Sequence, residues 1–256
     1  MILINDDAEE AIKKINTESI DMVLTSPPYD SLREYTGDCV WNFEKFSSIA
    51  NELFRVIKQG GVVVWIVSDE TIKGNESGSS FRQALYFKEI GFNLHDTMIW
   101  QKSTFSAVGA LKVRYAPVFE YMFVFSKGKP KAFNPIKDRK NKWGGTKQHG
   151  TVRQQDGTTK AVSGIKSEKV IAEYGQRFNV WQINEEKVEN KFHPAVFPEQ
   201  LAFDHIISWS NEGDLILDPF MGSGTTGKAC INSNRNFIGI EISKDYYDYC
   251  VNRLKN

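Results

Sequence analysis

The sequence predicts an α/β protein built on a doubly wound, mostly parallel sheet, with a loop-rich segment inserted after the first half of the chain. Three observations predict it. Six short runs of β-branched and aromatic residues are nearly continuous in apolar character, as strands buried on both faces are. Stretches of helical period lie between them, joined by short links, which is the rhythm of a doubly wound sheet. Between residues 126 and 192 that rhythm stops, and Lys, Gly, Thr and Gln take over in turn-forming strings such as KWGGTKQHGT and QQDGTT.

In chain order, a helix is expected from Ala8 to Ile15 and a strand at Asp21-Met-Val-Leu-Thr25, which stops at Ser26-Pro27-Pro28. Helical period returns from Phe43 to Ile57, and RVIKQGGVVV reads as a helix closed by glycine and handed to a strand over Gly61 to Val67. A helix over Ser80 to Ile90 precedes strands at His95 to Trp100 and Tyr121 to Phe125. Past the inserted segment come a helix (Pro198 to Ser208), a strand (Asp214 to Leu217), a helix (Thr225 to Asn232), a strand (Asn236 to Ile240) and a last helix (Asp245 to Leu254). In NSNRNFIGI asparagine serves as the helix stop.

Composition narrows the class. With 256 residues, 41% of them hydrophobic, the chain can bury a full core. No stretch of 18 apolar residues and no basic segment leading into an apolar one is present, so the sequence reads as soluble, unexported and cytoplasmic, with no membrane association. Cys39, Cys230 and Cys250 form no C-x-x-C pair, so neither a disulfide framework nor a metal site is suggested. The formal net charge is zero, yet from Ser126 to Val170 twelve Lys/Arg face three Asp/Glu, a local excess of nine positive charges. Such asymmetry fits either a phosphate-facing element on an acidic scaffold or a solvated surface loop.

Near the C-terminus, DLILDPFMGSGTTGKACINSNRNFIGIEIS reads as strand, glycine turn, helix and a second strand ending in an acid. Gly222-Ser-Gly224-Thr-Thr-Gly227 fits G-x-G-x-x-G, and a phosphate-loop reading fails at Ala229, where a hydroxyl for magnesium is needed. A dinucleotide-dependent oxidoreductase survives the spacing test, because Glu241 falls where an acid holds ribose hydroxyls. A small-residue packing turn is the plain alternative. Asp218-Pro219-Phe220 weighs against a pyrophosphate: a carboxylate at that strand end repels it but suits a ligand bearing an ammonium or sulfonium group. S-adenosylmethionine has a ribose and such a cationic group, and its carboxylate suits the helix N-terminus with the hydroxyls of Thr225 and Thr226.

The double proline after Thr25-Ser26 ends a sheet ladder, since neither proline donates and both fix φ. Their carbonyls remain acceptors at the strand's C-terminal end, where open α/β sheets bind ligands. Ser26 adds a side-chain acceptor and Tyr29 a flat face. The set suits an –NH₂ group on a planar ring, and a rigid strand-end turn is the simpler reading.

Taken together, TSPPY resembles the catalytic motif of amino-group DNA methyltransferases, and DPFMGSGTT with Glu241 is similar to their S-adenosylmethionine motif. Catalytic motif first, basic segment next and cofactor motif last is similar to the permuted β group of that family. NDDAEEAI resembles the segment whose Asp, here Asp7 or its neighbour Asp6, contacts the cofactor adenine. HPAVFPEQL (His193 to Leu201) resembles the helix ahead of the cofactor strand, and FRVIKQGGVVVWIVSD, IWQKS and YAPVFEYMFVFSKG fall where that family's other core segments fall.

The resemblance implies a Rossmann-like class I methyltransferase fold, with residues 1–125 as its catalytic region, 126–192 as a target-recognition region and 193–256 as the S-adenosylmethionine-binding region. It implies Ser26, Pro27, Pro28 and Tyr29 as catalytic residues, and Asp7, Asp218, Pro219, Phe220, Gly222, Gly224, Thr225, Thr226 and Glu241 as cofactor-binding residues. A base flipped out of double-stranded DNA would donate its amino hydrogens to Ser26 and the Pro27 carbonyl and stack on Tyr29. Ser26 at the first position favours cytosine N4 over adenine N6. Lys137, Arg139, Lys140, Lys142, Lys147 and Arg153 are the DNA-contact candidates, with Gln148, Gln154 and Gln155 as further base readers. A restriction endonuclease as functional partner and assembly as a homodimer are compatible with this reading. Phe105, Trp143 and Trp181 are read first as core packing, with stacking or wedging at the flipped base as the alternative, and His193 and His205 are read as structural.

Overall fold

Runs such as Met22-Val23-Leu24 and Val62-Val63-Val64-Trp65-Ile66 can bury alternate side chains on two faces only inside a sheet covered on both sides. The computed structural model describes residues 1–28, 41–103, 112–147, 151–161, 170–184 and 197–255. Its elements are β1 (Ile2–Asn5), α1 (Ala8–Lys13), β2 (Ile20–Thr25), α2 (Phe43–Val56), β3 (Ile57–Val67), β4 (Thr71–Ile72), β5 (Asn75–Glu76), α3 (Ser79–Glu89), β6 (Asn93–Gln101) and β7 (Phe119–Ser126). They continue with β8 (Arg139–Lys140), β9 (Thr151–Arg153), β10 (Thr159–Ala161), β11 (Tyr174–Gly175), β12 (Val180–Gln182), α4 (Glu199–Trp209), β13 (Leu215–Asp218), α5 (Thr225–Asn232), β14 (Asn236–Glu241) and α6 (Lys244–Lys255).

Eight strands form one sheet in the order β1-β14-β13-β2-β3-β7-β6-β12. Neighbours are parallel except at β7, which runs antiparallel to β3 and β6. Period two sorts the core: Val23, Val63 and Trp65 face α1, α2 and α3, while Met22, Leu24, Val62, Val64 and Ile66 face α4, α5 and α6. Fully buried Phe46 and Phe87 pack ring to ring at 5.4 Å. Each such side chain contributes about 2 kcal/mol through burial. The chain leaves β13 through α5 toward β14 and leaves β2 through α2 toward β3, so the crevice between β13 and β2 is a topological switch point, where open α/β sheets bind ligands.

Several elements depart from the sequence reading. β1 was not foreseen; it pairs with β14 as an edge strand of four residues. The Gly60–Gly61 pair does not close α2. That helix ends at Val56, Ile57 is already extended, and the glycines lie inside β3, where its register against β2 shifts. Gly60 has φ +79°, and a Cβ on Gly61 would lie 2.7 Å from Ile57 Cγ1 and 2.9 Å from the Asp21 carbonyl oxygen, so the irregular pairing requires glycine there. The asparagine stop is as expected: Asn234 has φ +58°, and Arg235 N–H donates to the Cys230 carbonyl in a six-to-one helix closure.

The chain divides into two compact units, Met1–Asn134 with Asn179–Asn256 and Pro135–Phe178. The second is narrower than the 126–192 segment because β12 is a strand of the main sheet: Trp181 lies in register with Trp100 and is buried. Within Pro135–Phe178, β8 pairs with β11 and β9 with β10, both antiparallel. Among the described residues no helix is long and apolar enough to cross a membrane.

Candidate active site

Four parallel strands, β1, β14, β13 and β2, end on one edge of the sheet, and each is followed or finished by a residue singled out above. Those residues are Asp7, Glu241, Asp218 and Ser26. Across the switch point, backbone pairing runs through Ile216↔Met22 and Leu217↔Val23, and Asp218 and Thr25 lie past its end. A side-chain bond closes the gap: buried Thr25 Oγ1 donates to Asp218 Oδ1 at 2.6 Å. Thr226 Oγ1 donates to Asp218 Oδ2 at 2.6 Å, and the Phe220 N–H donates to Oδ1 at 3.1 Å. The Phe220 ring meets Trp41 edge-on at 5.4 Å.

The glycine turn follows directly. Gly222 and Gly224 have φ of +49° and +85°, and a Cβ on Gly224 would lie 2.5 Å from Cys250 Sγ. Glycine is needed there for backbone conformation and for space. Gly224 opens α5 without a side-chain cap, which leaves the first N–H groups of that helix to an anionic group. From the last turn of α6, Arg253 Nη1 donates to the Ser223 carbonyl at 3.0 Å and Nη2 pairs with Glu199, clamping the turn from outside. Glu241, at the end of β14, accepts from Gly222 N at 2.9 Å and Ser243 N at 2.8 Å, and Asn5 Nδ2 donates to its carbonyl at 2.8 Å.

Both acids resist ionisation. Burial pushes the Asp218 carboxyl up to about 6, against the pull of Thr226, Thr25 and the Phe220 N–H. Burial also raises Glu241, opposed by the N–H groups of Ser243 and Gly222 and reinforced by the charge of Asp218. A buried carboxylate at each of two strand ends disfavours a phosphate and favours a cationic group and ribose hydroxyls. With the uncapped start of α5, this donor set fits S-adenosylmethionine.

Ser26 and Pro28 are half-buried, and Pro27 is buried. Tyr29 lies outside the described residues, as do Asp30, Cys39, Phe105, Gln148 and His193. Asp7 caps α1 by accepting from Glu9 N at 2.8 Å and pairs with Lys45 at 2.5 Å, while Asp6 pairs with Lys14 at 2.7 Å. Thr226 is buried, and its hydroxyl donates its proton to Asp218. The Thr25–Asp218 bond, Asn5 and Arg253 were missed. The available signal was that two neighbouring apolar strands, IDMVLT and LILD, each end in a polar residue. Cys230 and Cys250 are buried thiols; burial raises both, Cys250 to about 12. His205 is a core residue beside Trp181 at 4.5 Å.

In the Pro135–Phe178 unit, the six DNA-contact candidates separate. Lys137, Lys140, Lys142, Lys147 and Arg153 are exposed. Arg139 is half-buried: its Nε donates to the Gln176 carbonyl at 3.0 Å, and its guanidinium lies 4.5 Å over the Phe178 ring. Lys142 sits 5.3 Å over the ring of Trp143, itself exposed.

Comparison with known proteins agrees with this geometry. The orphan methyltransferase M.BamHII of Bacillus amyloliquefaciens is 55% identical over 246 residues, 93% of this chain and 89% of that protein. The crystal structure of the M1.HpyAVI–SAM complex matches with a TM-score of 0.67 at 25% identity, covering 100% of this chain and 99% of that one. The PvuII DNA methyltransferase (cytosine-N4-specific) shares the fold at a TM-score of 0.69 and 21% identity, over 98% of this chain and 85% of its own. No oxidoreductase stands among these matches. The profile of the N6/N4 DNA methylases matches residues 20–252, from the start of the strand that carries the proline elbow to the last helix, and the chain belongs to that DNA methylase family.

Proposed function

We propose that the protein transfers a methyl group from S-adenosylmethionine to the N4 amino group of a cytosine flipped out of double-stranded DNA. One observation carries the reading: the proline elbow and the cofactor acid stand on adjacent parallel strands at the switch point and are joined there by the Thr25–Asp218 hydrogen bond. Bound S-adenosylmethionine supplies a methyl group already activated by a sulfonium centre. Asp218 would hold its cationic group, Glu241 its ribose hydroxyls, the start of α5 its carboxylate, and Asp7 the adenine. Ser26 and the Pro27 carbonyl accept the two amino hydrogens, which takes the nitrogen lone pair out of ring conjugation and aims it at the methyl carbon. The N–C bond would form as the methyl–sulfur bond breaks and its electron pair returns to sulfur, leaving S-adenosylhomocysteine, and the proton lost from the nitrogen would pass to solvent. Position and orientation supply much of the acceleration.

Ser26 supports cytosine over adenine, since relatives that methylate adenine N6 usually carry Asp or Asn in its place. The exposed lysines and Arg153 of the Pro135–Phe178 unit fit phosphate contacts, and a restriction endonuclease and a second copy of this chain are compatible partners. The test is incubation of the purified protein with plasmid DNA and methyl-labelled S-adenosylmethionine, followed by mass spectrometry of the hydrolysed nucleosides. N4-methyldeoxycytidine that disappears with Ser26→Ala is the expected result. N6-methyldeoxyadenosine would move the assignment to adenine, and absence of label in DNA would overturn the reading.

A further inference from the structure

We infer that Thr25 is a positioning residue: its hydroxyl ties the proline elbow to the cofactor acid across the β13–β2 crevice and so holds the amine acceptors in line with the methyl donor. The inference rests on the reading above and goes beyond it, because Thr25 touches neither substrate nor cofactor in that reading. Three features carry it. The backbone ladder between β13 and β2 runs only to Leu217↔Val23, so beyond that point the two strands are paired with their outer neighbours and not with each other. Thr25 is fully buried and spends its single proton on Asp218 Oδ1 at 2.6 Å. Asp218 is gripped from the other side by Thr226 of α5, also at 2.6 Å, so one carboxylate joins the elbow strand to the helix that follows the glycine turn.

Ser26 is bonded to Thr25, and the two prolines beyond it have φ fixed near −65°, so the elbow has little slack to absorb a shift at Thr25. Valine in place of threonine keeps the β-branched shape and removes the donor. A buried carboxylate then lacks one of its bonds, and the direct link between the two strand ends is gone, leaving each held only by its outer neighbour, Thr25 by Trp65 and Asp218 by Gly239. Serine retains the donor and gives up a methyl group.

The experiment compares wild type, Thr25→Val, Thr25→Ser and Thr25→Cys in steady-state methyl transfer to DNA, in calorimetric binding of S-adenosylhomocysteine, and in thermal unfolding. For Thr25→Val the expected result is a fall in kcat of roughly 10-fold or more with KM for DNA within about 3-fold of wild type. S-adenosylhomocysteine binding weakens in parallel, and Thr25→Ser restores most of both losses. Wild-type kcat in Thr25→Val overturns the inference. So does a Thr25→Ser variant as impaired as Thr25→Val, since a packing role alone would produce it. If Thr25→Val does not fold, Thr25→Cys takes its place: a thiol is a weak donor, and wild-type kcat in that variant likewise overturns the inference. A wild-type protein that methylates no DNA would defeat the proposed function itself, whereas an active wild type with an indifferent Thr25 defeats only this step.

Discussion

The C-terminal edge of the main sheet and the Pro135–Phe178 unit are built by opposite means. At the sheet edge the polar groups are buried and committed: Asp218 accepts three hydrogen bonds, Glu241 accepts two, and the turn between them is clamped by Arg253. In the other unit, two-stranded ribbons leave Trp143, Tyr174 and Phe178 exposed, and the five candidate cations other than Arg139 are exposed, while Arg139 and Arg177 are bonded within the unit to the Gln176 carbonyl and to Asp138. A methyl transfer tolerates little error in position, so its residues are fixed by packing. If the second unit contacts DNA, a charged and variable surface asks for reach, which its long, solvated lysines would supply. What differs between the units is how many other groups depend on each side chain.

The largest expected effect tests that dependence at Asp218. Its carboxyl is raised from 3.8 to about 6 by burial, so the folded state holds the proton more tightly than the unfolded chain. Stability from this group is therefore full below pH 3.8 and is lost as pH rises through about 6, a difference of about 3 kcal/mol. Binding of a cationic ligand runs the other way: S-adenosylmethionine should bind more tightly as pH rises from 5 to 7, roughly 10-fold or more. Asp218→Asn should bind weakly and without that dependence. Calorimetry across the pH range checks it, and an unchanged slope in Asp218→Asn would remove Asp218 from the site.

The same contrast explains how much was legible in the sequence. Period and apolar continuity identified the six expected strands and six helices because each is decided locally, by residues that must be buried on one or two faces. The direction of β7 is not local: nothing in YMFVF distinguishes a parallel from an antiparallel neighbour. β12 is only Val180–Gln182, and its place in the sheet depends on Trp181 meeting Trp100 from far along the chain. Gly60 and Gly61 misled because a helix stop and a bulged strand call for the same residue. At the site, Ser26, Asp218 and Glu241 were visible as motif positions. The Thr25–Asp218 bond joins residues 193 apart and was not.

A smaller effect compares two glycines of nearly equal backbone angle. Gly224 has φ +85° and would place a Cβ 2.5 Å from the buried Cys250 Sγ, whereas Gly157 has φ +84° with open space around it. Gly224→Ala carries both the left-handed cost and a clash with α6, about 2–4 kcal/mol in all. Gly157→Ala carries the backbone cost alone, about 1 kcal/mol. Urea unfolding should show the main transition moving for Gly224→Ala and hardly moving for Gly157→Ala. Equal shifts would mean that side chains in the two units are equally committed to their neighbours.

The smallest effect concerns two cations of the Pro135–Phe178 unit. Lys142 is exposed and lies over Trp143, while Arg139 is bonded to the Gln176 carbonyl and covers Phe178. If the unit contacts DNA phosphates, each solvated lysine releases about one counterion on binding. Lys142→Ala should therefore lower the slope of log affinity against log salt by about 1 and weaken binding similarly across DNA sequences, with stability changed by less than about 0.5 kcal/mol. Arg139→Ala removes the bond that supports the β8–β11 ribbon, so its loss of affinity should come with faster proteolysis within Pro135–Phe178. Salt titration of DNA binding, paired with limited proteolysis of the free proteins, reads both. A Lys142→Ala variant with an unchanged salt slope would take that lysine off the DNA, and an Arg139→Ala variant as protease-resistant as wild type would make Arg139 a contact residue instead of a clamp.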